Sequence, residues 1–267
     1  MIDIFYSVVL ILKAMNSGII PYFPGKKIHG MFFDILKDVD TNLSERLHGN
    51  FSDKSFTVSS FLKKDVELPV TIEKDKKYLV RVTFLDENVF NAFSSGVLKK
   101  KFFKKVVSVD NFQFLVSKIL FNSNDSPLAG VFSPKNLDID DLHSTEIKLR
   151  FYTPTLFRIG DKHLRIPDAE KIFNSLLRKF NKYSSKKLEE SISERFNQIK
   201  IKHKSIAIKR VNLGNYYLEG FTGNVVFTFP NEDKELLKAA NILSYFSFYS
   251  GVGYKTTMGL GQTKRLN

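Results

Sequence analysis

The pattern of apolar and polar positions changes period several times along the chain, and each change predicts an element. Ile2 to Met15 is an almost unbroken apolar run, too short to cross a bilayer and lacking a small-residue cleavage site, so it predicts a buried first strand. Gly18 to Gly25, with Pro21 and Pro24, predicts a loop. Ile28, Met31, Phe32 and Ile35 then recur at helical spacing, predicting a helix over Lys27–Lys37 with His29 and Phe33 on its flank. A shorter helix over Thr41–Leu47 turns Leu43 and Leu47 inward and stops at Gly49, which leaves His48 at a helix end. Strands follow at Ser55–Phe61, Val66–Ile72 and Tyr78–Leu85, and a helix over Glu87–Val97. In the first of these strands Phe56 and Val58 share one face and Thr57 and Ser59 the other.

Between Asn122 and Ser144 the periodicity disappears while Pro127, Pro134, Asp138, Asp140 and Asp141 accumulate. This reads as a linker, with the domain boundary at 138/139. Its aspartates read as solvated, because no His or Glu follows at ligand spacing. The second half predicts a strand at Glu146–Tyr152 and a helix opening at Ile166-Pro167, with Ile172, Phe173, Leu176 and Phe180 on one side. Strands come next over Ser205–Leu218 and Gly223–Pro230, the latter alternating Val225, Phe227 and Phe229 against Asn224, Val226 and Thr228. The last helix is capped by Asn231, has Glu232 and Asp233 in its first turn, and buries Leu236, Ala239, Ala240, Leu243 and Phe246. A short strand ends the chain. Two rounds of this order suit an α+β architecture with helices on one face of an antiparallel sheet, most commonly the ferredoxin-like split βαβ. The expectation is a tandem of two ferredoxin-like domains, 1–138 and 139–267.

Charge turns this fold reading toward a partner. The 267 residues carry 41 Lys and Arg against 28 Asp and Glu, a net charge of +13, and such an excess fits a phosphate polymer. Lys99, Lys100 and Lys101 stand in the acid-free run Leu98 to Lys105, and Lys202 and Lys204 in a second basic segment, Lys179 to Arg210. The 26 Phe and 10 Tyr supply core and surfaces for base stacking. With no cysteine, disulfides, thiolate zinc sites and cysteine nucleophiles are excluded. Neither the dinucleotide fingerprint nor the phosphate loop is present, and no carboxylate cluster of the two-metal nuclease type, so no metal or cofactor is expected. The absence of a leader or membrane span predicts a cytoplasmic protein.

Near the C-terminus Gly251, Gly253, Gly259 and Gly261 fall within eleven residues, closing a helix and feeding a strand. Such glycines let another backbone, or a phosphate, approach the main chain, and Lys255, Lys264 and Arg265 beside them favour a polyanion. The run Phe246 to Lys264, with its G-V-G-Y-K-T-T-M-G-L-G-Q-T-K, resembles the C-terminal signature of the CRISPR-associated endoribonucleases that process repeat RNA, the sixth CRISPR-associated protein family of the RAMP superfamily. Leu149-Arg150-Phe151-Tyr152-Thr153-Pro154-Thr155 resembles the strand that opens the family's second domain. The resemblance implies tandem ferredoxin-like domains and metal-independent cleavage of precursor CRISPR RNA within the repeat. The substrate's 2′-OH attacks its own phosphate and leaves a 2′,3′-cyclic phosphate. CRISPR repeat RNA is the implied partner, with subunits of a CRISPR effector complex and a homodimer as further candidates.

That reaction needs a base, a cation for the developing charge and an acid for the leaving oxygen. Imidazole both takes and gives protons near neutral pH, and lysine is a compact cation, so His48 with Lys54 is the first candidate pair. Arg46 to Thr57 resembles the family segment in which a helix-ending L-H precedes a lysine and an F-T strand, implying His48 as base and Lys54 as phosphate stabiliser. Some members carry the catalytic histidine in the first helix, which makes His29 the rival. Many place a tyrosine there, where this chain has Phe32 and Phe33, so His29 or Tyr22 is left for the acid. His143, His163 and His203 read as surface or packing residues. A non-cleaving RAMP subunit and a general single-strand binder are the alternatives.

Overall fold

The computed structural model describes residues 4–49, 53–62, 68–137 and 142–266. The expected junction at 138/139, its aspartates, and the first residues of the strand expected from Val66 lie outside them. The first half contains β1 (Phe5–Ala14), β2 (Gly18–Ile20), α1 (Gly25–Lys37), α2 (Thr41–Gly49), β3 (Phe56–Val58), β4 (Val70–Ile72), β5 (Lys77–Phe84), α3 (Glu87–Phe102), β6 (Val106–Val109), β7 (Phe112–Leu120) and β8 (Gly130–Phe132). The second contains β9 (Glu146–Thr155), β10 (Phe157–Ile159), β11 (Lys162–Leu164), α4 (Ala169–Tyr183), β12 (Lys200–Asn212), β13 (Tyr217–Thr228), α5 (Lys234–Ser250) and β14 (Thr263–Leu266).

Each half buries its opening strand at the centre of an antiparallel sheet. The first sheet runs β3-β5-β1-β7-β6, with β8 also pairing on β1, and the second runs β12-β13-β9-β14. In both, the opening strand lies between the third and fourth strands of a split βαβ, and the helices supply the covering layer. The apolar stripe of α1 (Ile28, Met31, Phe32, Ile35) packs with Val8, Leu10, Val80 and Val82 in one core. The stripe of α4 (Ile172, Phe173, Leu176, Phe180) packs with Ile147, Leu149, Val225 and Phe227 in the other. Phe5 joins the second core from the first strand, its ring 4.9 Å from that of Phe246.

Several elements differ from their expected form. The loop expected at Gly18–Gly25 contains β2, which pairs with β4. The helix expected over Glu87–Val97 runs on to Phe102, so Lys99, Lys100 and Lys101 form its last turn, where cations suit the helix dipole. The helix expected from Ile166-Pro167 starts at Ala169, because Asp168 accepts from the Lys171 amide and caps it. Asp233 rather than Asn231 caps α5, accepting from the Leu236 amide. The strand expected over Ser205–Leu218 is a hairpin, β12 turning at Gly214 into β13, which runs without a break through Val225 to Thr228. The strand expected over Ser55–Phe61 shortens to β3, and both of its faces are buried, Phe56 and Val58 in the core and Thr57 against the second half.

Candidate active site in the cleft between the halves

The halves meet along a polar seam. Side chains on the outer face of the first sheet, Ser7, Thr57, Arg81 and Thr83, are all buried. Arg81 donates to Ser7 Oγ at 2.8 Å, to Gln262 Oε1 at 2.8 Å and to the Phe248 carbonyl, with its guanidinium 3.7 Å from the Phe248 ring centre. Among the described residues no carboxylate pairs with it, and burial pushes its pKa down to about 9. Thr83 donates to the Tyr249 carbonyl, and Gln262 Nε2 returns to the Val58 carbonyl at 3.3 Å. Lys179, 4% exposed, spends its three protons on the carbonyls of Ser250 (3.1 Å) and Gly251 (3.4 Å) and on Thr256 Oγ1 (3.4 Å). Burial pushes this lysine down to about 8, against the pull of Asp53. α5 has no basic residue in its own last turn, so Arg81 and Lys179 supply the positive charge its C-terminal carbonyls favour.

That capped end launches the glycine loop. Gly251, Gly253, Gly259 and Gly261 all take positive φ, between 60° and 88°. At Gly253 and Gly261 the missing side chain faces other backbone. A Cβ on Gly253 would lie 2.4 Å from the Leu156 carbonyl oxygen, and one on Gly261 1.9 Å from that of Val252. The glycines thus build an intramolecular joint, and the loop's charged contribution to the cleft is Lys255, itself in the left-handed region at φ 57°. Gly25, the first residue of α1, completes the joint. A Cβ there would fall 1.9 Å from the Met258 carbonyl oxygen, so helix and loop touch backbone to backbone.

The cleft above this joint encloses about 940 Å³. The first half contributes His29 from α1, His48 from α2, and Asp53 and Lys54; the second contributes Arg158, Lys171, Arg178, Lys179 and Lys255. The result is a strongly cationic groove in which, among the described residues, the single lining carboxylate is Asp53, held by Arg178.

His29 is bonded and oriented. Its Nδ1 donates to the Thr257 carbonyl at 2.9 Å, which leaves the Nε2 lone pair free in the neutral ring. Burial pushes its pKa down to about 4, opposed by the Thr257 bond and reinforced by the nearby charges of His48, Lys54 and Lys255. His48, exposed at the end of α2, also packs edge-on against Phe33, whose ring centre is 4.9 Å from His29 and 5.2 Å from His48. The two imidazoles are therefore no more than about 10 Å apart. Phe33, which has no hydroxyl, packs against both rings.

Lys54 donates to the carbonyls of Leu47 and His48, the latter at 3.1 Å, so its ammonium rests on the end of the helix that carries His48. Burial and the charge of Lys182 lower its pKa. Asp53, one residue earlier, receives a bidentate bond from Arg178, at 2.6 and 3.0 Å. Burial raises its carboxyl, but the Arg178 bond and the charges of Lys179, Arg178 and Lys182 outweigh that and hold it below the usual carboxylate range.

The other expected contacts lie elsewhere. Lys264 points to the Pro127 carbonyl, Lys202 pairs with Glu146 at 2.5 Å, and Lys204 stands exposed on β12. Lys99 and Lys101 are at the far end of α3, beside Lys100, which pairs with Asp38. Tyr22, considered for the general acid, donates to Asp110 at 2.6 Å and does not line the cleft. His163 stacks on Tyr254, ring centres 5.8 Å apart. Sequence reasoning missed Arg81, Asp53, Arg178 and Lys179. For Asp53 no signal existed, since its partners stand 125 or more residues away. Among the described residues no group of three or more His, Cys, Asp or Glu could hold a metal ion, and no helix is long and apolar enough to cross a membrane.

Comparison with known proteins agrees with this construction. The CRISPR Cas6 N-terminal domain profile matches residues 4–105, and that of CRISPR-associated endoribonuclease Cas6 matches residues 149–263. The chain belongs to the Cas6 family. The Cas6 endoribonuclease of Mycobacterium tuberculosis, in two strains, is 27% identical over 118 residues, 43% of this chain and 37% of the relatives' own length. A Cas6 product complex superposes with a TM-score of 0.84 at 25% identity, over 99% of this chain and 100% of that one. Thermus thermophilus Cas6 follows with a TM-score of 0.73 at 24% identity, over 99% of both chains. The two sheets described above are accordingly the tandem ferredoxin-like lobes of a Cas6 fold.

Proposed function

We propose that this protein is a metal-independent endoribonuclease that binds CRISPR repeat RNA and cuts precursor CRISPR RNA within the repeat. The observation that carries the reading is the His29–Thr257 bond, which presents an unprotonated imidazole nitrogen in a cationic groove shared with His48 and Lys54. His29 Nε2 takes the proton of the substrate's 2′-OH, and the freed oxygen attacks the adjacent phosphorus. Lys54 and Lys255 stabilise the extra negative charge on the phosphoryl oxygens. As the P–O5′ bond breaks, His48 protonates the departing oxygen, leaving a 2′,3′-cyclic phosphate and a 5′-hydroxyl. The family resemblance gives the base to His48. The orientation of His29 and the exposed position of His48 favour the exchange of roles.

A base of pKa about 4 is weak in the empty cleft, but the charge of an arriving phosphate raises it toward the working range. Away from the cleft, Lys99, Lys100 and Lys101 adjoin Phe102 and Phe103, 81% and 64% exposed, a surface suited to unpaired bases and their phosphates. The domain junction stays at 138/139 in this proposal. The test is incubation with the cognate repeat RNA in EDTA, followed by mass analysis of the new 3′ ends. A discrete cut bearing a cyclic phosphate is expected, and none when the scissile ribose is 2′-deoxy. Equal cleavage of the deoxy strand sinks the mechanism, and retention of uncut native RNA leaves an RNA-binding RAMP subunit.

A further inference from the structure

Lys54 has no rigid element of its own, since it follows α2 and precedes β3. The chain just before it is nevertheless pinned, and from the other lobe. The C-terminal end of α4 supplies all these pins. Arg178 grips the Asp53 carboxylate through both oxygens, while Lys182 (2.8 Å) and the Tyr183 hydroxyl donate to the Asp53 main-chain carbonyl. Arg178 and Lys182 lie one turn apart on one face of α4 and Tyr183 is its last residue, so the end of a single rigid helix meets both the side chain and the backbone of Asp53. The neighbouring residue on α4, Lys179, holds the start of the glycine loop and thereby the stretch that bonds His29.

We propose that Asp53 is a positioning residue. Through Arg178, Lys182 and Tyr183 it hangs the chain beside Lys54 on the second lobe, and so sets where the Lys54 ammonium stands against the end of α2 and His48. α4 then acts as a gauge that fixes both ends of the cleft at once. Asp53 itself does no proton transfer, because its carboxylate is fully engaged and held ionised. The inference rests on the catalytic reading of Lys54.

The experiment is a double-mutant cycle with Asp53→Asn, Arg178→Gln and the pair, read by kcat on repeat RNA and by the Kd of the uncleavable 2′-deoxy strand. Each single change is expected to lower kcat about ten- to hundredfold, the usual consequence of a reacting group displaced by about 1 Å. Kd for Asp53→Asn stays near wild type, the double variant is no slower than the worse single, and Asp53→Glu recovers most of the loss. A second readout needs no turnover: the rate at which Lys54 is acetylated by a water-soluble anhydride, followed by peptide mass spectrometry. Lys54 labels faster in both single variants than in wild type. Unchanged kcat together with unchanged labelling overturns the proposal, as does a loss in the double variant equal to the product of the two single losses. Arg178→Gln changes an exposed side chain and keeps the test open should Asp53→Asn fold poorly. If the wild type does not cut, the catalytic reading fails while the labelling arm still decides the clamp.

Discussion

His29 and His48 both pack against the ring of Phe33, yet the protein treats them differently. His29 is half-buried on α1, bonded to a loop carbonyl and kept neutral by its surroundings. His48 stands at an exposed helix end whose carbonyls already receive Lys54. Burial and a fixed bond select a tautomer, which suits a base that must present a lone pair. Exposure leaves a ring free to exchange protons with solvent, which suits an acid reprotonated after each turnover.

The largest test breaks the comparison chemically. His29→Ala and His48→Ala are each expected to lose about 10²- to 10⁴-fold in kcat with RNA affinity nearly kept. A substrate whose bridging 5′-oxygen is replaced by sulfur separates the two, because a thiolate leaves without a proton. It should restore much of the activity of His48→Ala and little of that of His29→Ala. The opposite pattern gives the base to His48.

The pH profile sharpens the same contrast more gently. The acid limb of kcat/KM reports the free enzyme, so it should fall near pH 4, while that of kcat, reporting the RNA complex, should lie higher. An acid limb of kcat/KM well above pH 5 removes His29 as the base.

The smallest effect is on stability. Because the folded pKa of His29 lies below its ordinary value of 6.5, the unfolded chain takes the proton first. Its contribution is complete above about pH 6.5 and is lost as the pH falls from there to about 4, by at most about 1.4 kcal/mol per pH unit. Denaturant melts across that window should show a shallower slope in His29→Gln than in the wild type. Identical slopes would mean the ring is solvated.

What the sequence concealed follows from this geometry. The apolar stripes of α1 and α4 and the glycine loop were readable because local periodicity and backbone demands write them directly. The seam was not, because Thr57, Arg81 and Lys179 have the alternation and charge of solvent-facing residues and are buried only when the second lobe arrives. The basic segment from Lys179 read as a contact for a phosphate polymer, yet its first member is sealed inside the joint. His29 and His48 were both visible as candidates; their difference in orientation was not, since it depends on Thr257, 228 residues from His29.

Gly25 meeting the Met258 carbonyl has one more consequence. A contact made of main chain alone has no side chain to exchange, so substitutions on the rim can retune which nucleotides are preferred while the seat of the first histidine stays put. A single added methyl would act as a wedge, prising open the crevice that every improvement in recognition depends on.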